Sequence, residues 1–186
     1  AEVARLANRH PRVNIHRAGP GVGGHCISVD PWFLVEKFPE EARMIRLSRE
    51  RNDGMPLHVA NTLAAMLEGV EDPKAAVLGV AFKGNVDDVR ESPALAVIRG
   101  LIDMGIRVAA HDPHAKNPPV ELHSLDVCFE GADCAVLLTD HTDYQYLDPH
   151  QVGRSMRRRN LFDTRAFLPH DQWKEAGFQV RILGAG

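Results

Sequence analysis

The sequence predicts an α/β fold in which a doubly wound parallel sheet follows a mainly helical segment. Two observations carry this prediction. Beyond residue 73, short apolar runs alternate with helical segments, which is the pattern of βαβ crossovers. The first 72 residues combine helical periodicity with a glycine-rich loop. We therefore expect two parts, residues 1–72 and residues 73–186.

The predicted strands lie where apolar residues follow one another closely. The run 75–82 is continuous, as in a strand that is buried on both faces of a parallel sheet. Four further strands are predicted at 106–110, 134–139, 160–162 and 178–183. Parallel strands need crossover connections, so a doubly wound sheet follows from their number and spacing.

The predicted helices are recognised by their end residues and their apolar stripes. Ser92 followed by Pro93 is a helix start, and Gly105 ends that helix. The segment 39–69 is predicted to be one long helix, kinked or restarted near 52–54, that connects domains or forms a subunit contact. Its apolar stripe consists of Leu57, Ala60, Leu63, Ala64 and Leu67.

Composition excludes several classes of function. The 186 residues carry a net charge of −3, which gives no reason to expect nucleic acid or an anionic membrane as a partner. No apolar run approaches the roughly 18 residues that a membrane-spanning helix needs. Three cysteines without paired spacing indicate thiols in a reducing compartment, so we expect a cytoplasmic protein. Residues 1–8 resemble the end of a helix without a cap, so the natural protein is expected to be longer.

The most informative stretch is a glycine-rich loop, 19–24, that leads directly to His25 and Cys26. It matches the dinucleotide pattern G-x-G-x-x-G, but its context is wrong, because that pattern must follow a strand and open a helix. Pro20 removes an N–H that a phosphate would need, and Pro31 is expected to interrupt the following helix. We interpret the loop as one that lets a ligand approach Cys26.

Polar residues follow each predicted strand, at the sheet edge where α/β proteins bind ligands. They include Lys83 after the first strand and Arg165 after the fourth, which together would hold a diphosphate. The first turn, 79–83, lacks the second and third glycines of a dinucleotide fingerprint. This sheet is therefore expected to bind a nucleotide, but not as an ordinary NAD-binding half. The other residues of this group are Gly84, Asn85, Asp87, Asp88, Arg90, Glu91, His111, Asp112, Thr139, Asp140 and Asp163.

Two motifs in this order resemble those of the UDP-glucose/GDP-mannose dehydrogenase family: GPGVGGHCISVDPWFLV at 19–35 and VLGVAFKGNVDDVRESPALAVI at 77–98. The Gly-Gly-His-Cys and Asp-Pro-Trp-Phe details are most like the branch that acts on UDP-N-acetylmannosamine. The resemblance covers nearly the whole chain. It implies the end of a central helical region followed by a Rossmann-like UDP-binding domain.

The resemblance also implies a reaction and a set of site residues. The family oxidises the C6 alcohol of a UDP-sugar to a carboxylate with two NAD⁺, through a thiohemiacetal and a thioester on a cysteine. Cys26 matches that nucleophile, and Asp30 matches the aspartate that assists the water and proton-transfer steps. Arg90 resembles an arginine that reaches the cofactor. The implied substrate-binding residues are Gly21, Gly23, Gly24, His25, Lys83, Arg165 and, by a looser match, Arg12.

Other family features have no counterpart in this sequence. The NAD fingerprint and the catalytic lysine, asparagine and glutamate would precede Ala1, so the chain alone is expected not to transfer hydride. The family also implies a homodimer through the long helix. The alternatives are a UDP-binding module without catalysis, and a dehydrogenase for UDP-N-acetylglucosamine or UDP-glucose. A thiol hydrolase or acyl-transfer enzyme would need a histidine close to Cys26 in space.

Structural roles, not catalytic ones, are expected for several other residues. Cys128 and Cys134 lie in or beside apolar segments and are expected to be buried. His25 is adjacent to Cys26, and neighbouring side chains usually diverge, so a structural or ligand-contact role is expected for it. No spacing of acidic or histidine residues favours a metal site.

Overall fold

The computed structural model describes residues 2–13, 15–16 and 18–185. Its centre is a sheet of five parallel strands, each at the position that the sequence predicts to within a few residues. The fold class is therefore confirmed. The strands are β1 (Lys74–Leu78), β2 (Arg107–His111), β3 (Cys134–Leu137), β4 (Asn160–Asp163) and β5 (Gln179–Ile182).

The strand order β2-β1-β3-β4-β5 determines where a ligand can bind. β1 pairs with β2 on one side and β3 on the other, and Val77 lies opposite Ala110 and Val136. The chain thus winds outward in both directions from the boundary between β1 and β3. In open α/β sheets this boundary leaves a crevice at the carboxyl ends of the strands.

Helices cover both faces of the sheet. Ser92 caps α5 as predicted, because its hydroxyl accepts a hydrogen bond from the Ala94 N–H. A short 3₁₀ helix spans Thr142–Tyr146. The helices are α1 (Glu2–Ala7), α2 (Asp30–Lys37), α3 (Arg43–Asp53), α4 (Met55–Met66), α5 (Pro93–Asp103), α6 (Leu125–Phe129), α7 (Pro149–Ser155) and α8 (His170–Glu175).

Of the two forms predicted for segment 39–69, the structure shows the restart and not the kink: α3 ends and α4 begins at Gly54, with Pro56 in the first turn of α4. The prediction for Pro31 is wrong, because Pro31 does not interrupt a helix. It lies in the first turn of α2, where its missing N–H costs no hydrogen bond.

The apolar stripe of α4 also differs from the prediction at one position. Leu57 is 57% exposed, whereas Val59, Ala60, Leu63 and Leu67 are buried. These four side chains pack with α5 and β1 in one core cluster, so α4 covers the sheet through α5. A second cluster on the opposite face joins α6, α7 and α8 to the sheet. In the described part of the chain, the helices are too short or too polar to cross a membrane.

Candidate functional site

The glycine-rich loop packs against protein on three sides. A side chain at Gly23 would lie 2.2 Å from the Glu91 carbonyl oxygen, so only glycine allows this approach. Gly24 has a φ of +88° and lies against the Phe82 ring. Gly19 lies beside the Arg165 guanidinium. The glycines therefore allow the loop to dock on the segments that follow β1 and β4.

Asn52, in the last turn of α3, holds the same loop from the other side. Its side-chain oxygen accepts a hydrogen bond from the Val22 N–H at 2.7 Å, and its amide nitrogen donates to the Val22 carbonyl at 3.2 Å. Val22 thus has both backbone groups paired by one side chain, as it would in a strand. The sequence showed Asn52 only as a soft point in a helix.

Cys26 lies at the exposed end of this loop, one turn before α2. Its carbonyl accepts hydrogen bonds from the N–H groups of Val29 at 3.0 Å and Asp30 at 2.8 Å. This helical turn places Asp30 on the same face as Cys26, because residues four apart in a turn are neighbours. The His25 Nδ1 lies 3.4 Å from the Cys26 Sγ. The expectation that these two side chains diverge is therefore wrong.

The loop that presents Lys83 is held by buried polar groups behind it. The Asp112 carboxylate accepts hydrogen bonds from the N–H groups of Val80 at 2.7 Å and Ala81 at 3.0 Å. His141 is fully buried and contacts Asp112 through Nε2 at 3.0 Å, while its Nδ1 accepts the Asn85 N–H at 2.9 Å. Because Nδ1 accepts a hydrogen bond, the proton of His141 lies on Nε2 and is donated to Asp112.

Asp112 directly follows β2, where a dinucleotide-binding domain has the acid that binds the ribose. Its two oxygens also accept the N–H groups of His114 and Ala115. Burial raises the pKa of Asp112, but the hydrogen bonds from His141 and the backbone outweigh it and hold the pKa well below its usual range. Both carboxylate oxygens of Asp112 already accept hydrogen bonds from this protein, so Asp112 is not available to bind a ribose.

The turn that carries Arg165, after β4, is also held by a buried carboxylate. The buried Asp163 carboxylate accepts the N–H groups of Arg165, Phe167 and Leu168 at 2.8–2.9 Å and so fixes this turn. The Arg165 Nη2 donates to Asp140 at 3.1 Å, and its Nε is buried without a hydrogen-bond partner among the described residues. A buried guanidinium N–H without a partner indicates room for an anionic ligand group.

One cavity of about 540 Å³ joins these loops at the carboxyl ends of β1, β3 and β4. Gly21, Gly23 and Ile27 line it from both sides of Cys26, opposite Lys83 and Arg165. Its volume suits a nucleotide-sized ligand. The sequence also placed three other lining residues, Gly84, Asn85 and Asp140, at the ligand edge of the sheet. It did not assign the remaining ones to a site: His16, Val22, Phe82, Thr142 and Phe167.

Of these additional lining residues, only some had a signal in the sequence. Asn85, Asp140 and Thr142 lie just beyond strand ends, where α/β sheets place ligand contacts. His16 lies in an irregular segment, and nothing in its local sequence predicts that the chain returns to the cavity there.

Six residues that the sequence proposed for the site are not among those that line the cavity: Arg12, Gly24, His25, Cys26, Asp30 and Arg90. Arg90 is bonded to Asp88 in a bidentate ion pair at 2.7–3.1 Å. Arg12 is exposed, and its N–H donates to the His10 Nδ1. Gly24, His25 and Cys26 lie between the lining residues Gly23 and Ile27, and Asp30 lies three residues beyond Ile27.

The other two cysteines differ from Cys26 in their surroundings. Cys128 and Cys134 are fully buried, as predicted. Burial raises the pKa of the Cys128 thiol to about 11 and that of the Cys134 thiol to about 12. Cys26 is thus the exposed thiol of this chain and the other two are inert core residues. No cluster of three acidic, histidine or cysteine side chains that could hold a metal ion occurs in the described ranges.

Comparison with known proteins gives matches over both parts of the chain. The model of the UDP-glucose/GDP-mannose dehydrogenase family, UDP binding domain, matches residues 76–170. The model of the central domain of the same family matches residues 1–54. The glycine-rich loop thus lies in the central-domain match, and Lys83 and Arg165 lie in the UDP-binding match.

Individual relatives agree with these matches. UDP-N-acetyl-D-mannosamine dehydrogenase from Methanococcus maripaludis is 46% identical over 100% of this chain and 44% of its own length. An NDP-N-acetyl-D-galactosaminuronic acid dehydrogenase from Ralstonia solanacearum is 42% identical over 88% of this chain and 39% of its own length. The solved structure of UDP-D-ManNAc dehydrogenase from Pyrococcus horikoshii superposes with a TM-score of 0.84 at 37% identity, over 98% of this chain and 43% of that one. The chain spans less than half the length of these relatives, and it belongs to the UDP-glucose/GDP-mannose dehydrogenase family.

Proposed function

We propose that this chain is part of an NAD-dependent UDP-N-acetyl-D-mannosamine 6-dehydrogenase. Residues 1–72 would end the central helical region, and residues 73–186 would form the UDP-binding domain. The observation that carries the proposal is the cavity that Lys83, Arg165 and the residues on either side of Cys26 share. The names of relatives such as the Methanococcus maripaludis enzyme support the choice of sugar.

The proposed reaction oxidises the C6 alcohol to an aldehyde and then to a carboxylate. One water is consumed and two hydrides leave the substrate, and accepting them is the chemistry that NAD⁺ supplies. The Cys26 Sγ bonds to the aldehyde carbon, which gives a thiohemiacetal and, after the second oxidation, a thioester. Asp30, one turn away, assists the attack of water on that thioester.

The remaining site residues bind the substrate. Lys83 offers a point charge to the diphosphate, and Arg165 offers a planar fork whose buried Nε has no protein partner among the described residues. The backbones of Gly21 and Gly23 approach the ligand closely, because they carry no side chain. Gly24 and His25 position the end of the loop at Cys26.

The residues of this sheet do not fit a dinucleotide. The turn after β1 lacks the glycine fingerprint, and the side chain of Asp112 is fully buried and bound to backbone N–H groups. We propose that NAD binds outside residues 1–186, with Arg90 reaching toward it. The described chain alone is then inactive in hydride transfer.

The choice of sugar is tested by a substrate panel on the complete protein. With NAD⁺, we expect kcat/KM for UDP-N-acetylmannosamine to exceed that for UDP-N-acetylglucosamine and UDP-glucose by on the order of 10²-fold, because a site that hydrogen-bonds one sugar rejects its analogues. A higher kcat/KM for either analogue would show that the proposed substrate is wrong, while the proposed reaction would stand.

The second candidate function is a UDP-binding module without catalysis, favoured by the UDP-binding match over residues 76–170. Under it the complete protein would bind UDP but form no uronic acid from any of the three sugars. We further propose a cytoplasmic protein that pairs as a homodimer through its helical region. Size-exclusion chromatography with light scattering tests the homodimer.

A further inference from the structure

His25 has an unexpected position for a residue next to the proposed nucleophile. Its Nδ1 lies 3.4 Å from the Cys26 Sγ, which is within hydrogen-bonding range for a thiol and an imidazole. Both side chains are exposed, so neither is buried by the contact. The arrangement pairs a thiol with the side chain that most often accepts protons near neutral pH.

The backbone around His25 explains why it turns toward the thiol. Gly24 adopts a φ of +88° and packs on the Phe82 ring, which fixes the direction of the chain entering His25. The Ser28 hydroxyl donates a hydrogen bond to the Gly24 carbonyl and closes a turn around Cys26. The contact between His25 and Cys26 is thus part of a docked loop.

A carboxylate lies near the imidazole. The Phe82 N–H donates to the Asp88 carbonyl at 3.1 Å, so the loop that contacts Gly24 also carries Asp88. Hydrogen bonds from Arg90 lower the pKa of Asp88 to about 2, and the charge of His25 contributes to the lowering. Asp88 is therefore ionised at neutral pH and attracts a protonated His25.

We propose that His25 is a further catalytic residue, which accepts the proton of the Cys26 thiol through Nδ1 as Sγ attacks the aldehyde carbon. The S–H bond breaks, an S–C bond forms, and the carbonyl π electrons move to the oxygen. The proton held by His25 then passes to that oxygen, which gives the neutral thiohemiacetal. Asp88 stabilises the transient imidazolium. The inference rests on the proposed function, because it needs Cys26 as the nucleophile.

The charged groups around His25 come from two elements. Asp88, with Arg90 bonded to it, lies in the loop before α5 and interacts electrostatically with His25. The second element is the first turn of α2, which carries Asp30. The Asp30 N–H donates a hydrogen bond to the Cys26 carbonyl. Arg90 opposes the effect of Asp88 on His25, so neutralising Asp88 has a smaller effect than removing the imidazole.

Alkylation of Cys26 by iodoacetamide tests the proposal without any substrate or cofactor. The intact protein is labelled in its native state, and the tryptic peptide 18–37, which contains Cys26 as its one cysteine, is quantified by mass spectrometry. His25→Asn keeps a polar atom near the position of Nδ1 but cannot take a proton. We expect alkylation about 5–10-fold slower at pH 7, and less than about 2-fold slower at pH 10, where a free thiol ionises unaided.

The pH 10 arm separates proton transfer from access. A merely structural role of His25 would change the rate by the same factor at both pH values, and that result would overturn the proposal. An unchanged or faster rate at pH 7 would also overturn it. A second variant, His25→Gln, repeats the measurement with a different side-chain length, and absence of label at Cys128 and Cys134 verifies that each variant is folded.

Matched controls are available nearby. Asp88→Asn is expected to slow alkylation at pH 7 roughly 2-fold, since Asp88 is half-buried and solvent screens part of its charge. Asp87→Asn removes a neighbouring carboxylate that pairs with Lys116 and should leave the rate unchanged, as should His150→Gln at an exposed position on α7. If His25→Asn behaves like these controls while Cys26→Ala still abolishes acid formation, the proposed function stands and the role of His25 does not.

Discussion

Replacing Cys26 by alanine is expected to reduce uronic acid formation by the complete enzyme about 10³-fold or more. The physical reason is that the aldehyde would lose the one thiol that can hold it for the second oxidation. The first oxidation needs no bond to sulfur, so the variant should form aldehyde slowly and stop there. Losses of this size follow removal of a covalent nucleophile in other enzymes. Product analysis by mass spectrometry measures both species.

The matched control is Cys128→Ala. Cys128 is fully buried, and burial raises the pKa of its thiol to about 11, so it is not available for attack. This variant should keep wild-type acid formation and lose only a small part of its stability. If Cys26→Ala formed acid at the wild-type rate, Cys26 would not be the nucleophile.

The largest effect on stability is expected from Asp112→Asn. Asp112 is 8% exposed and its carboxylate accepts hydrogen bonds from four backbone N–H groups and His141. The asparagine amide would direct an NH₂ group at some of these donors. We expect the free energy of unfolding to fall by about 3–5 kcal/mol at pH 7, because several buried N–H groups would lose hydrogen bonds to a charged group, each worth about 1.5–3 kcal/mol. Urea denaturation of both proteins measures it.

The sign of the pH dependence follows from the lowered pKa of Asp112. Because the folded-state pKa lies below the usual value of about 3.9, the stabilisation is complete above pH 4 and is lost as pH falls toward the lowered pKa. The difference between wild type and Asp112→Asn should therefore shrink below pH 4. The control is Asp72→Asn, whose exposed ion pair with Arg107 should contribute less than about 1 kcal/mol. A difference independent of pH would contradict this assignment.

The sheet was predictable from the sequence because its strands are buried on both faces. Such strands appear in the sequence as unbroken apolar runs. Cys134–Leu137 lies within its predicted range, and Lys74–Leu78 begins one residue before its range. The helix break was less predictable. A soft point at Gly54 and a proline at Pro56 fit either a kink in one helix or a restart, so the residue pattern alone does not distinguish the two, and the structure shows the restart.

The site was predictable only where local chemistry indicated it. Cys26, Lys83 and Arg165 were identified from a glycine-rich loop, strand ends and motif resemblance. The sequence also placed Asp112 and Asp163 at the ligand edge of the sheet, yet both carboxylates bind backbone N–H groups of the following loops. Whether these two carboxylates bind a ligand or the backbone depends on the geometry of the following loops, which no residue pattern predicts. The contact of His25 with Cys26 depends on the docking of Gly24 against Phe82, a contact between distant segments.

The central claim is that one site oxidises the sugar twice while Cys26 holds the intermediate. The most direct measurement is the amount of NADH formed for each UDP-N-acetylmannosamine consumed by the complete enzyme, with an aldehyde-trapping hydrazide present. The account predicts two NADH for each carboxylate and no trapped aldehyde. One NADH for each sugar, with the aldehyde recovered as its hydrazone, would contradict it.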